Sequence, residues 1–133
     1  MKTKGSTLIE IIITIAIFVI ITPSIIVMVL GSHMSTLRAK TRLEAVSLAI
    51  EGLEAARSIR NYKWENLTSG IHGLTTKNGY FELTATPEMI ARYQRQINIK
   101  QLDPNTKQIT SQINWQPLTG VNNSITLSTY LIR

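Results

Sequence analysis

STLIEIIITIAIFVIITPSIIVMVLG, running from Ser6 to Gly31, is the stretch on which the reading of this chain turns. Its apolar core, Leu8 to Leu30, is about 23 residues and would span about 35 Å as a helix, against a hydrocarbon core of about 30 Å. From Ile11 to Leu37 the chain carries no charge, taking His33 as neutral. A secretory signal has a shorter apolar core, about 7–15 residues, followed by a small-residue cleavage site. A helix of a soluble core would show one polar face, and this one does not. The stretch therefore predicts a membrane span, preceded by Lys2 and Lys4.

Two residues disturb a plain anchor. Glu10 lies just inside the apolar boundary, where a charge at full depth costs about 2.5–3.5 kcal/mol on insertion scales. Either its carboxylate reaches back to the headgroups, or it pairs with a cation from another chain. Pro23 removes one backbone hydrogen bond and clashes with the carbonyl four residues earlier, giving either a simple kink or a hinge. Thr22 and Ser24 flank it and can satisfy freed backbone groups. Charge counting compares two lysines and the amino terminus before the span with Arg38, Lys40 and Arg42 after it. It leans toward a cytoplasmic C-terminal side.

Beyond Gly31 and Ser32 the helical pattern continues. Leu43, Val46, Ile50, Leu53, Ala56 and Ile59 recur at spacings of three and four and predict an apolar stripe. Lys40 with Glu44 and Glu54 with Arg57 are expected ion pairs at helical spacing. Gly52 suits a place where a sheet approaches the helix closely. A helix from about Ser6 to about Tyr62 would be about 85 Å long. Arg57, Arg60 and Lys63 suit the negative end of its dipole. Trp64 and Leu67 are expected to fold back onto the helix.

From Ile71 the period shortens to two. Ile71–Leu74 and Tyr80–Ala85 read as a hairpin around Lys77-Asn78-Gly79. One strand is expected over Ile90–Ile99, then a turn at Asp103-Pro104-Asn105. Further strands are expected at Gln108–Gln116 and, after a break at Pro117–Asn123, from Ile125 to Tyr130. The fold class expected is α+β: a long N-terminal helix, membrane-spanning first and amphipathic second, packed on a C-terminal antiparallel sheet.

Lys4-Gly5-Ser6-Thr7-Leu8-Ile9-Glu10, basic and ahead of a long apolar helix, resembles the prepilin signal of type IV pilins and type II secretion pseudopilins. The resemblance implies cutting by a prepilin peptidase between Gly5 and Ser6 and N-methylation of Ser6. Glu10 then falls at the family's glutamate position, the fifth of the mature chain, where it serves subunit assembly. The family prefers phenylalanine at the first mature position, and Ser6 departs from that. The implied organisation is a leader at 1–5, a transmembrane and filament-core helix at 6–32, an amphipathic helix at 33–64 and a sheet head at 65–133. Implied partners are the peptidase, other pilin or pseudopilin subunits, an inner-membrane assembly platform and membrane lipid. The leader would be cytoplasmic and the head extracytoplasmic, opposite to the lean of the charge count. Glu51–Asn61 followed by Trp64, and a late strand ending in Trp115, look similar to minor subunits. Major pilins often close their C-terminal region with a disulfide, and this chain has no cysteine.

The rest of the chain argues against an enzyme. Zero cysteines exclude disulfides, thiolate metal sites and thiol catalysis. His33 and His72 are the only histidines, and neither stands at metal-ligand spacing from another strong ligand. No nucleophile elbow or phosphate-cradling glycine loop is present, so no cofactor is expected. Asn66-Leu67-Thr68 and Asn122-Asn123-Ser124 match the glycosylation pattern, which short sequences meet by chance. The 14 Lys and Arg against 8 Asp and Glu leave a net charge of +6. That is a mild attraction to anionic surfaces, without the clustering of a nucleic-acid binder. Tyr80, Phe81, Arg92, Tyr93 and Arg95 would have to share a face to stack on bases, and alternation sends them to both. The competing reading is an unprocessed single-pass membrane protein whose C-terminal sheet is a binding module.

Overall fold

The computed structural model describes residues 4–116 and 120–133, with side chains from Thr7 onward. The chain divides into two compact units, residues 1–40 and 41–133. The division falls inside one helix, α1 (Lys4–Tyr62). The expected break at Pro117–Asn123 lies partly outside the described residues; Gly120 to Asn122 are free of helix and strand.

In the first unit every side chain from Thr7 to Lys40 is exposed except Thr22, which is half-buried. The apolar surface of Leu8 to Leu30 thus meets no other part of this unit. It is one helix long and apolar enough to cross a membrane. Around Pro23 the Thr22 hydroxyl donates to the Phe18 carbonyl (2.8 Å) and the Ser24 hydroxyl to the Ile20 carbonyl (3.1 Å). These back-bonds occupy the carbonyls on either side of Val19, whose own partner the proline ring removes.

In the second unit the helix lies on an antiparallel sheet of six strands: β1 (Gly70–Lys77), β2 (Tyr80–Thr84), β3 (Glu88–Ile90), β4 (Tyr93–Asp103), β5 (Thr106–Trp115) and β6 (Asn123–Ile132). Their order is β2-β1-β4-β5-β6, and β3 pairs with β4 on the side that β1 also uses. β5 alternates strictly, sending Lys107, Ile109, Ser111, Ile113 and Trp115 inward. β4 contributes Tyr93, Arg95, Ile97 and Ile99 to the same layer. After α1 a 3-10 turn, Trp64–Asn66, folds Trp64 and Leu67 back against Ala55, Ala56 and Ile59, as expected.

Of the expected stripe Ala56 and Ile59 are buried and Val46 and Leu53 half-buried, but most of the contact with the sheet is made by small residues beside it. Ala45, Ala49, Gly52, Ala55, Ala56 and Ile59 are buried, whereas Leu43 is 70% and Ile50 49% exposed. Periodicity shows that a stripe exists; only packing shows which of two neighbouring stripes the sheet selects. Gly52 does what its position suggested: a Cβ there would stand 2.6 Å from Ser111 Oγ and 2.9 Å from Ile97 Cδ1.

Asn78 and Gly79, both at positive φ, make the tight turn between β1 and β2. Pro104 and Asn105 turn the chain between β4 and β5, helped by Asp103 Oδ1, which accepts from the Asn105 N–H at 2.9 Å. The strand expected over Ile90–Ile99 is instead two strands. Ala91, at φ 52°, and Arg92 make a two-residue turn, and Ile90 pairs with Tyr93. Neither turn residue belongs to the usual turn formers, so nothing local announced the break. Where the β2–β3 connection crosses β1, Gly73 is required: a Cβ there would stand 2.1 Å from the Thr86 carbonyl.

Candidate functional site

The residues with a proposed role in processing and assembly all lie in the first unit. Gly5 and Ser6 are within α1, and Met1 to Thr3 are outside the described part. Glu10 lies on the same helix, exposed, with its backbone carbonyl accepting the Thr14 hydroxyl at 2.7 Å. No described lysine or arginine pairs with its carboxylate. One helical turn separates Ser6 from Glu10, a rise of about 6 Å, so the two lie on one face of the helix. The arrangement offers a carboxylate in an apolar surface, open to a cation from outside. Pro23 lies more than three turns further on and is also exposed.

The remaining candidates are dispersed. His33 is exposed on α1, and His72 Nε2 lies 2.9 Å from the Thr68 carbonyl. No group of three or more His, Cys, Asp or Glu that could hold a metal occurs among the described residues. Tyr93 and Arg95 are buried under α1. Tyr80 lies on edge strand β2, its ring 5.4 Å from that of Tyr62. These groups do not form one stacking surface. Glu54 pairs with Arg57, as expected. Glu44 turns to Tyr93 and Arg92 rather than to Lys40.

Two buried cations carry structural work that periodicity only half disclosed. Arg95, 2% exposed, donates to Glu88 Oε2 through Nε (2.9 Å) and Nη2 (2.6 Å). Its Nη1 reaches Glu51 Oε1 at 3.2 Å and the Leu48 carbonyl at 3.4 Å. One guanidinium thereby ties the β3–β4 hairpin to α1, with the planar fork that carboxylates favour. Lys107, 6% exposed, donates to the Leu67 carbonyl at 2.7 Å and lies 4.5 Å over the Trp64 ring. It satisfies the carbonyl end of the turn that follows α1, and burial pushes its ammonium below the usual lysine range. Its place in the β5 alternation, two before Ile109, was the available signal. The Tyr93 hydroxyl lies 2.6 Å from Glu44 Oε2 and 3.2 Å from the Thr41 carbonyl. Burial and then the Glu44 carboxylate push it above the usual phenol range.

Comparison with known protein families, curated proteins and solved structures finds no match to this chain. The α+β layout and one membrane-length apolar helix therefore define the class: a chain with a membrane-length N-terminal helix and a small helix-on-sheet head.

Proposed function

We propose that this chain is a structural subunit, a minor pilin or pseudopilin, trimmed in the membrane and assembled into a type IV pilus or type II secretion-like filament. The observation that carries the reading is the string Lys4-Gly5-Ser6-Thr7-Leu8-Ile9-Glu10 at the head of an apolar helix that continues into the helix of the head. Trimming between Gly5 and Ser6 creates an α-ammonium at the start of that helix. A neighbouring subunit sliding alongside sets its own Glu10 against that ammonium in a medium where ion pairs are stronger than in water. The pair offsets the cost of a lone acid in the membrane and sets the axial stagger between subunits. On this reading the head faces away from the cytoplasm and the partners are the peptidase, sister subunits and an assembly platform.

The test is N-terminal sequencing of the mature protein, combined with Glu10→Ala. The expected start is Ser6, with the variant still trimmed but lost from sheared filaments and retained in the membrane fraction. A start at Met1 would favour the competing reading, an unprocessed single-pass protein whose sheet is a binding module, toward which Arg38, Lys40 and Arg42 lean. A Glu10→Ala protein that enters filaments normally would overturn the pairing.

A further inference from the structure

We infer that the outer face of β4, β5 and β6, turned away from residues 41–62 of α1, binds an uncharged oligosaccharide chain, anchored in the concavity at its Trp115 end.

The alternation that buries Tyr93, Arg95, Ile97 and Ile99 on β4, and Ile109, Ser111, Ile113 and Trp115 on β5, turns the intervening residues outward. Register aligns them in rows across the three strands: Gln94, Asn114 and Ser124; Gln96, Gln112 and Thr126; Asn98, Thr110 and Ser128. All are uncharged hydrogen-bonding side chains, and all are exposed or half-buried. A fourth row, Lys100, Gln108 and Tyr130, brings the first charge. Soluble surfaces ordinarily carry about a quarter to a third of charged residues. Asparagine is depleted from strands, yet Asn98 and Asn114 stand inside two long ones. Local preference is given up in this way where a side chain serves function.

The rows are also preorganised. Gln96 Nε2 donates to Gln112 Oε1 at 2.8 Å, and Gln112 Nε2 to Asn114 Oδ1 at 3.1 Å. The hydroxyls of Thr110 and Ser128 lie 3.0 Å apart. These bonds fix rotamers and leave the Asn114 amide N–H groups free to donate. The carboxamides of Gln94 and Asn98 have no hydrogen-bond partner among the described residues. At the Trp115 end the first row opens into a concavity of about 740 Å³, the size of a small-ligand site. Gln94, Asn114, Asn122, Asn123 and Ser124 supply its polar groups, and Met89, 65% exposed, an apolar one. Arg92 on its rim is paired with Glu44 at 3.5 Å and lies over the Tyr93 ring.

The occupant follows from what this face lacks and what it offers. Nucleic acid or anionic lipid needs free lysine and arginine, which the first three rows do not hold. A protein partner would meet an apolar, aromatic-rich centre, and here the centre is Thr110 and Gln112. A carboxamide presents a donor and an acceptor in one plane, which matches neighbouring sugar hydroxyls, each both donor and acceptor. Met89 at one end and the Tyr130 ring, 62% exposed, at the other supply apolar contact for the C–H groups of sugar rings. Ser124 to Tyr130 spans about 20 Å, room for several such rings. The site does not depend on trimming or filament assembly.

The test uses the full chain in a detergent without a sugar headgroup, and follows the side-chain amide signals of Gln94, Asn98 and Asn114 by nuclear magnetic resonance. The probes are cellotetraose, maltotetraose and the N-acetylglucosamine tetramer, with heparin as a polyanionic control. At least one uncharged tetramer is expected to shift these signals with a Kd of about 1 mM or tighter, and heparin to leave them unmoved. That tetramer should bind about tenfold more tightly than its monosaccharide. Tyr130→Ser, at an exposed position, should abolish the gain without changing monosaccharide binding. Gln94→Ala should weaken both by about fivefold with far-ultraviolet circular dichroism unchanged. No shift with any tetramer at about 10 mM, or a stronger one with heparin, overturns the proposal. Unchanged tetramer binding by Tyr130→Ser overturns the track along the rows, and unchanged binding by Gln94→Ala overturns the anchor. Shifts that follow protein concentration alone would make the face a contact between copies and overturn the glycan.

Discussion

Gly52 and Ser111 illustrate how a single atom sets the distance between helix and sheet. The Gly52 position leaves no room for a methyl group, and the Ser111 hydroxyl it faces is buried without a hydrogen-bond partner among the described residues. Gly52→Ala is expected to cost about 1–3 kcal/mol through overpacking, despite alanine's better helix propensity. Ser111→Ala removes an unsatisfied polar group, so it should be near neutral or stabilising by about 1 kcal/mol, and it takes away one of the two atoms, with Ile97 Cδ1, that a methyl group at position 52 would meet. The cost of Gly52→Ala should be smaller in that background. Chemical denaturation of the two single variants and the double variant measures the coupling; strict additivity would mean that the helix moves rather than the serine. Glu10 shows a different economy at the same scale. It is conspicuous in sequence because of where it lies, and nothing described within its own chain neutralises it.

At the scale of elements, the β3–β4 hairpin is held by Arg95 more than by its turn. Ala91 sits in the left-handed region, which alanine adopts at a cost, and β3 is three residues long. The guanidinium compensates by joining Glu88, its cross-strand partner, to Glu51 on α1. Arg95→Met keeps the aliphatic stem and removes the charge. It should destabilise by about 3 kcal/mol, the low end for breaking a buried pair, because Glu88 can rehydrate. Backbone exchange in β3 should rise before that in β5; uniform exchange across the sheet would show that Arg95 stabilises the head globally. The Asn78-Gly79 turn was legible because its chemistry is local: both residues tolerate positive φ. The Ala91-Arg92 turn was illegible because its support lies in a long-range ion pair.

At the scale of the molecule, the alkaline limb of stability separates two buried groups with opposite signs. The folded state holds the Tyr93 phenol above its ordinary value. Its contribution is fully present below about pH 10 and is lost as pH rises through the folded value. Lys107 is held below its ordinary value. Between that lowered value and about pH 10.5 the unfolded chain binds the extra proton, so this group adds stability as pH rises. Tyr93→Phe should therefore flatten the loss of stability above about pH 10, and Lys107→Met should steepen it. Denaturation midpoints compared with the parent chain between about pH 8 and 11 check both signs. Parallel profiles for all three proteins would show that neither group is buried in solution.

The apolar run from Leu8 to Leu30, the change of period after Ile71 and the Asn-Gly turn by themselves settled a membrane-length helix followed by an antiparallel sheet. Those features depend on unbroken hydrophobicity, alternation and local backbone preference, all written in consecutive residues. Tertiary structure alone chose Ala45, Ala49 and Gly52 over Leu43 and Ile50 as the sheet-facing stripe. It also split the strand at Ala91, turned Glu44 from Lys40 to Tyr93, and left β6 with an open edge. Each of these is decided by which surfaces meet across tens of residues, where shape and partner, rather than hydrophobicity, select among equivalent patterns.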